Sequence, residues 1–229
     1  MNVRGDSFKD CTLITGFHGI GSTGYIAVSY LIHSLKAKRI GFVDVGHPPP
    51  FVSTSEEGLV TPFEVFRKGK LVFVKLEFAP HRAEEAEFAK ELARWTIKGK
   101  FKDAVLVGGL DSNLKSGDKD VRVVPTRAYL NRKNGFKYPT LEPGLFVYGQ
   151  LAVMLSEFEM HEFPAIAILP YASATAADPS AAAVAVRTIC KAYGVKVDVS
   201  DLEDGAKEIE EEFEKRMKQT SKSLKSMYG

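Results

Sequence analysis

One short stretch leaves this chain few ways to fold. Cys11 to Phe17 reads CTLITGF, apolar or β-branched almost throughout, and runs into Gly19-Ile20-Gly21-Ser22-Thr23-Gly24. A run with no polar alternation predicts a strand buried on both faces, and the glycines admit a tight turn behind it. From Tyr25 to Leu35, the residues Ile26, Ala27, Tyr30, Leu31 and Leu35 recur at helical spacing, with Ser22 or Thr23 placed to cap the first free amides. A second apolar strand is expected over Ile40–Val45, ended by His47-Pro48-Pro49-Pro50, since proline fixes φ and donates no hydrogen bond. Strand, glycine turn, helix and strand together predict the α/β class.

The alternation then breaks. Phe63–Phe66 and Leu71–Leu76 flank Arg67-Lys68-Gly69-Lys70, the pattern of a β-hairpin. Ala83 to Lys98 predicts an amphipathic helix with Ala86, Ala89, Ala93 and Ile97 on one stripe and Trp95 at its border. Asp103–Val107 is a third core strand entering Gly108-Gly109. Between Asp111 and Pro143 the chain is polar and marked by glycine and proline, with one short strand expected at Val121–Val124. A helix over Tyr148–Met160 and a strand over Phe163–Leu169 follow. Asp178-Pro179 then supplies an N-cap and first-turn proline for an alanine-rich helix that stops at Gly194. Ser200-Asp-Leu-Glu203 reads as a capping box for a last helix. Glu211 with Lys215, Glu212 with Arg216 and Glu214 with Lys218 support its exposed face. We therefore expect one α/β domain over 1–218, including a long C-terminal helix, and a flexible tail over 219–229.

Charge excludes little but does exclude a strong field. The 229 residues hold 31 lysines and arginines against 29 acids, a net charge of +2, so nothing draws the whole molecule to nucleic acid or membrane. The clusters Lys98-Lys100-Lys102 and Arg132-Lys133-Lys137 are read as solvated loop charge. Cys11 and Cys190 sit in apolar runs and are expected to be buried thiols, as suits a reducing compartment. Neither a signal core nor an uninterrupted apolar stretch of about 18 residues is present, and a cytoplasmic location is expected.

The sharpest chemical motif is Gly19-x-Gly21-x-x-Gly24, followed twenty positions later by Asp44. Such a loop between strand and helix lets backbone amides approach a pyrophosphate, and Asp44 would accept from a ribose hydroxyl. His18 adjoins the loop and could serve as an acid-base group or phosphate contact. The hairpin stands, however, where a second crossover helix should complete a dinucleotide site, so a tight turn packed closely on the strand is the competing account. No metal-ligand spacing or nucleophile motif occurs, so no metal, no cofactor and no catalytic set is assigned. Asp111-Ser112-Asn113 reads as a turn. The chain closes on Met227-Tyr228-Gly229, a hydrophobic residue, a tyrosine and a free carboxylate that together could form a portable docking signal.

Four blocks carry a resemblance that spans nearly the whole chain: Gly16–Gly24 with Tyr30-Leu31-Ile32, Phe78-Ala-Pro80-His-Arg82, Gly108-Gly109-Leu110, and Tyr171–Ala182. In their order and spacing the chain resembles the archaeal members of the proteasome assembly chaperone family, relatives of the second eukaryotic assembly chaperone. The resemblance implies a three-layer α/β sandwich around a mixed, mostly parallel sheet, like that of phosphorylases and hydrolases. It also implies a non-catalytic protein that forms a homo-oligomer, tetramer or pentamer. Its partner would be the α subunits of the proteasome core particle. Some members end in a hydrophobic-tyrosine-any-residue tail that inserts between those subunits, and Met227, Tyr228 and Gly229 match it. The alternative is an enzyme or sensor that binds a nucleotide or other phosphorylated ligand at Gly19–Gly24.

Overall fold

The computed structural model describes residues 2–3, 8–55, 58–132, 138–204, 211 and 215. A two-residue strand, β1 (Asn2–Val3), precedes β2 (Thr12–Gly16), which is buried at every position. A 3-10 turn at Ile20–Ser22 leads into α1 (Thr23–Ser34). Then come β3 (Lys38–Phe42), a small hairpin of β4 (Ser53–Ser55) and β5 (Gly58–Val60), and the expected hairpin of β6 (Phe63–Lys68) and β7 (Leu71–Leu76). Next are α2 (Glu85–Lys98), β8 (Asp103–Val107), β9 (Leu110–Asp111), β10 (Val121–Pro125) and the single turn α3 (Arg127–Leu130). The described chain finishes with α4 (Gln150–Met160), β11 (Ala165–Ala172), α5 (Pro179–Tyr193) and α6 (Ser200–Asp204).

The main sheet runs β1-β3-β6-β7-β2-β8-β11-β10, with β9 also paired to β11. Its centre is parallel, because β2 pairs in parallel with both β7 and β8, and β8 with β11. Antiparallel strands close both sides: β6, β3 and β1 on one, β10 on the other. The sheet is therefore mixed, with helices on both faces, the three-layer arrangement anticipated above.

Alternation of side chains across each strand divides the core in two. Ile14, Phe73, Val105, Val107, Ile166 and Ile168 join the face covered by α1 and α5. Leu13, Val72, Val74, Leu106 and Ala167 join the opposite face, against Phe88 and Leu92 of α2 and Met154 and Phe158 of α4. Both faces of the parallel strands are covered, which is why those strands lack polar alternation in the sequence.

Several local expectations are corrected. The second strand is β3, Lys38–Phe42, not Ile40–Val45; it lies near the sheet edge and is mostly exposed, Val43 keeps one bond to the Phe63 carbonyl at 3.1 Å, and Asp44 and Val45 lie beyond the strand. Ser22 takes a left-handed φ of 47° and makes no side-chain cap, while the Thr23 hydroxyl donates back to the Ile20 carbonyl. On α2 the buried residues are Phe88, Ala89, Leu92, Ala93 and Thr96, and Ala86 is exposed. The expected capping box is absent, because Asp198 accepts from the Ser200 amide and hydroxyl and Glu203 pairs with Arg187. Asp178 does cap α5, accepting from the Ala181 amide at 2.9 Å, and Gly194 ends that helix with φ 66°. Cys11 and Cys190 are both buried free thiols. Of the last-helix pairs, Glu211 and Lys215 are helical and exposed; the other two pairs lie outside the described residues, as does the 219–229 tail.

Candidate functional site

The carboxyl ends of β2, β7, β8 and β11 meet at one corner, and the glycine motif sits there. Gly24, in the first turn of α1, rests directly on the sheet: a methyl added to it would lie 2.4 Å from the Val107 carbonyl oxygen and 2.7 Å from the Phe17 nitrogen. A methyl on Gly16 would lie 2.5 Å from the Gly24 backbone, so this pair of glycines sets how closely α1 approaches β2. Gly109, beyond β8, is pressed on the turn in the same way, its added methyl 2.3 Å from the Ile20 carbonyl oxygen. Gly21 has φ 62°, the left-handed region that favours glycine, and its carbonyl accepts from the Asp178 amide at 2.8 Å. The Asp178 carboxylate in turn holds the Ser173 and Ala181 amides, each at 2.9 Å. Gly19, in contrast, is exposed, with open space where a side chain would be.

Three of the four sequence blocks that carried the resemblance thus come together in this corner. Their spacing records backbone packing between elements distant in sequence. The fourth block lies elsewhere: Pro80 is buried, Phe78 packs on Phe51 with ring centres 5.4 Å apart, and His81 stands 6.0 Å from His47.

Beside the corner is a polar cluster that sequence reading found only in part. His18 places Nε2 3.0 Å from the Leu76 carbonyl oxygen. A carbonyl only accepts, so the ring proton is on Nε2 and the imidazole donates, joining the end of β2 to that of β7. The ring stacks on Tyr25 at 4.4 Å. Burial pushes the His18 pKa down despite the backbone contact and nearby Glu77, which keeps the ring neutral at neutral pH. Tyr25 donates to Glu77 at 3.1 Å, and Lys75 reaches the same carboxylate at 2.6 Å while lying 5.7 Å from the Tyr25 ring centre. Tyr25, Lys75 and Glu77 were missed because β7 becomes the neighbour of β2 only through the fold. The available signal was that Glu77 directly follows a strand and Tyr25 directly follows the last loop glycine.

Asp44 does not join this group. β3 lies three strand positions from β2, which at about 4.8 Å per strand is roughly 14 Å, and Asp44 is exposed beyond its end. The Asp111 turn is present, with that carboxylate accepting from the Asn113 amide at 2.9 Å. Met227, Tyr228 and Gly229 lie outside the described residues. Among the described residues no cluster of three or more His, Cys, Asp or Glu is arranged to hold a metal, and no helix is long and apolar enough to cross a membrane.

The model of the PAC2 family matches residues 13–217, from the centre of β2 to beyond the last described helix. The chain belongs to the PAC2 family. Solved structures show the same fold. Pyrococcus furiosus PbaA, an archaeal homolog of proteasome-assembly chaperone, superposes with a TM-score of 0.84 at 21% identity, over 98% of this chain and 97% of PbaA. Pyrococcus furiosus PbaB, an archaeal proteasome activator, gives 0.70 at 19% identity, over 95% of this chain and 97% of PbaB. An uncharacterized protein of Methanocaldococcus jannaschii is 23% identical over 230 residues, covering 96% of this chain and 88% of that protein. In this PAC2 chain the glycine corner is a place where the α1 layer, the sheet and α5 interlock.

Proposed function

We propose that this PAC2 protein is a non-catalytic binding protein of the proteasome assembly chaperone or activator type, acting in the cytoplasm on the α subunits of the core particle. The observation that carries the reading is the end-to-end likeness to PbaA and PbaB, together with the family match over residues 13–217. The glycine corner supports it from another direction: Gly16, Gly21, Gly24, Gly109 and Asp178 serve contacts within the chain, and His18, Tyr25, Lys75 and Glu77 are engaged with one another.

In this reading Met227-Tyr228-Gly229 is the docking element. A tyrosine combines a large apolar face with a hydroxyl that seeks a partner, and a terminal carboxylate offers a charge for a pocket lysine. One such tail binds weakly. A tetramer or pentamer displays several, and once one tail is seated the others bind at an effective concentration of order millimolar, raising affinity by about 10²–10⁴ without any new contact.

The test is binding of the purified protein to an immobilised cognate core particle, with Tyr228→Ala and Tyr228→Phe alongside. Tyr228→Ala is expected to abolish binding while oligomer mass and melting temperature stay unchanged, and Tyr228→Phe to retain part of it. Undiminished binding by Tyr228→Ala removes the tail from the mechanism.

A further inference from the structure

Between α2 and the chain leaving β3 lies a groove of about 570 Å³, within the range of small-ligand pockets. Its floor is apolar: Phe88 and Leu92 are buried, and Val43, Val45 and Trp95 half-buried. Trp95, the single tryptophan of the chain, packs on Phe8 and Phe101, with ring centres 5.1 and 5.0 Å away. The rim is acidic. Asp44 stands on one wall and Glu84, Glu87 and Glu91 on the other, against one lining cation, Lys98. Arg94 does not balance them, since it is shared by Glu91 at 2.9 Å, the buried Glu157 at 3.5 Å and Glu87 at 3.9 Å; His47 bonds Glu84 at 2.5 Å. The whole chain carries +2, so this excess of negative charge is local.

Like charges three and four residues apart on a helix repel one another, so packing within the chain does not call for this row. Floor and rim select different parts of a ligand. The floor favours hydrocarbon and the rim favours cationic nitrogen; a bare metal ion leaves the floor unused, and an uncharged hydrocarbon leaves the rim unmatched. Spacing narrows the class. At about 1.5 Å of rise per residue, Glu84 and Glu87 are separated by about 4.5 Å along α2 and Glu87 and Glu91 by about 6 Å. A staggered chain of carbon–carbon and carbon–nitrogen single bonds advances about 1.25 Å per bond, so three methylenes set two amines about 5 Å apart and four set them about 6 Å apart. Those are the two intervals along the helix. Trp95 follows Glu91 by one more turn, where a ring face attracts a cation. Lys98 lies seven residues beyond Glu91, roughly 10 Å, clear of a ligand seated on the carboxylates.

We infer that the α2 groove binds a linear polyamine of the spermidine type, in which three- and four-carbon spacers join protonated amines. The methylenes lie on Phe88, Leu92 and Trp95, as lysine stems cover apolar surface, and the ammonium groups donate to Glu84, Glu87 and Glu91 with Asp44 facing them. A carboxylate accepts several hydrogen bonds through its two oxygens, so Glu84 keeps its bond to His47 and Glu91 its bond to Arg94. Exposed ion pairs are individually weak and screened by salt, so the floor supplies affinity and the carboxylates supply register. The inference is independent of the proteasome reading, because its test contains no other protein.

Because Trp95 is the sole tryptophan, its fluorescence reports from the groove itself. The full-length protein is titrated with spermidine at low salt and, in parallel, with 1,3-diaminopropane, magnesium chloride and tetralysine; equilibrium dialysis with radiolabelled spermidine measures the same constant without Trp95. Spermidine should bind saturably, one per chain, with a half-saturating concentration at least about tenfold below those of the diamine and of magnesium. Glu87→Gln with Glu91→Gln should raise that concentration about tenfold while the melting temperature without amine stays unchanged, and Asp44→Asn should raise it a fewfold. Asp118→Asn with Asp201→Asn removes equal charge from exposed carboxylates elsewhere and should leave it as it was. Absence of saturable binding in dialysis, magnesium acting at the same concentration as spermidine, indifference to the Glu87 and Glu91 changes, or an equal loss in the control pair overturns the inference. Tetralysine binding tenfold more tightly than spermidine overturns it too, and assigns the groove to a lysine-rich protein segment.

Discussion

Replacing Gly24 by alanine tests whether the glycine motif is a packing device. The added methyl would stand 2.4 Å from the Val107 carbonyl oxygen, 2.7 Å from the Phe17 nitrogen and 2.9 Å from the Gly16 Cα. All three are backbone atoms of, or adjoining, central strands, so no side chain can rotate away and α1 itself must move. Overpacking a well-packed core costs about 1–3 kcal/mol, and clashes with backbone belong at the upper end. At roughly 2–4 °C per kcal/mol for a chain of this size, about 3 kcal/mol lowers Tm by roughly 6–12 °C. Gly19→Ala is the internal control: nothing lies within 4 Å of its added methyl, and its φ of −119° is outside the left-handed region that favours glycine. Its change should stay within about 1 kcal/mol. Thermal unfolding by circular dichroism and a urea titration, with unchanged m-value, measure both. A Gly24→Ala protein melting within about 2 °C of the native one, or an equal fall in both variants, would refute the contact argument.

Asp178→Ala removes the α5 cap and the tie to Ser173, and should cost about 1–2 kcal/mol in urea unfolding, with Asp178→Asn recovering most of it. The Glu142 carboxyl is held down to about 2, from an ordinary 4.5, by Arg122 first and Ser116 second. Because the folded value is the lower, its stabilisation is present above about pH 4.5 and is lost as pH falls toward 2. Glu142→Gln should therefore be less stable than the native protein at pH 7, with the gap closing across that window in pH-dependent melting; a gap constant with pH contradicts the pairing. Burial raises both thiols, so Cys11 and Cys190 should react with a thiol reagent slowly when native and fully in denaturant.

What the sequence revealed depended on how strongly local chemistry dictates the backbone. β8 was legible to its bounds and the β6–β7 hairpin nearly so, because strands covered on both faces need unbroken apolar runs and the turn between them carries Gly69, φ 57°. β3 was misplaced by two or three residues because a strand beside the sheet edge keeps an exposed half, and Val43 and Val45, although apolar, pack against the core on the α2 face instead. β4, β5 and α3 gave no periodic signal in so few residues. At the corner the glycines were visible at once, but the atoms that require them, the Val107 carbonyl 83 residues from Gly24 and the Asp178 amide 157 residues from Gly21, arrive from far along the chain. A nucleotide loop and a packing corner write the same letters; in the strand order Asp44, beyond β3, stands three positions from β2.

The most direct test of the proposed function is the mass of the purified protein mixed with a cognate proteasome core particle, by size exclusion with light scattering, run beside a variant lacking Met227–Gly229. The account predicts co-elution of the intact homo-oligomer with the core particle and its loss on deletion, with the oligomer mass unchanged. An intact protein that leaves both the core particle and its free α subunits unshifted, or a truncated one that still co-elutes, contradicts it.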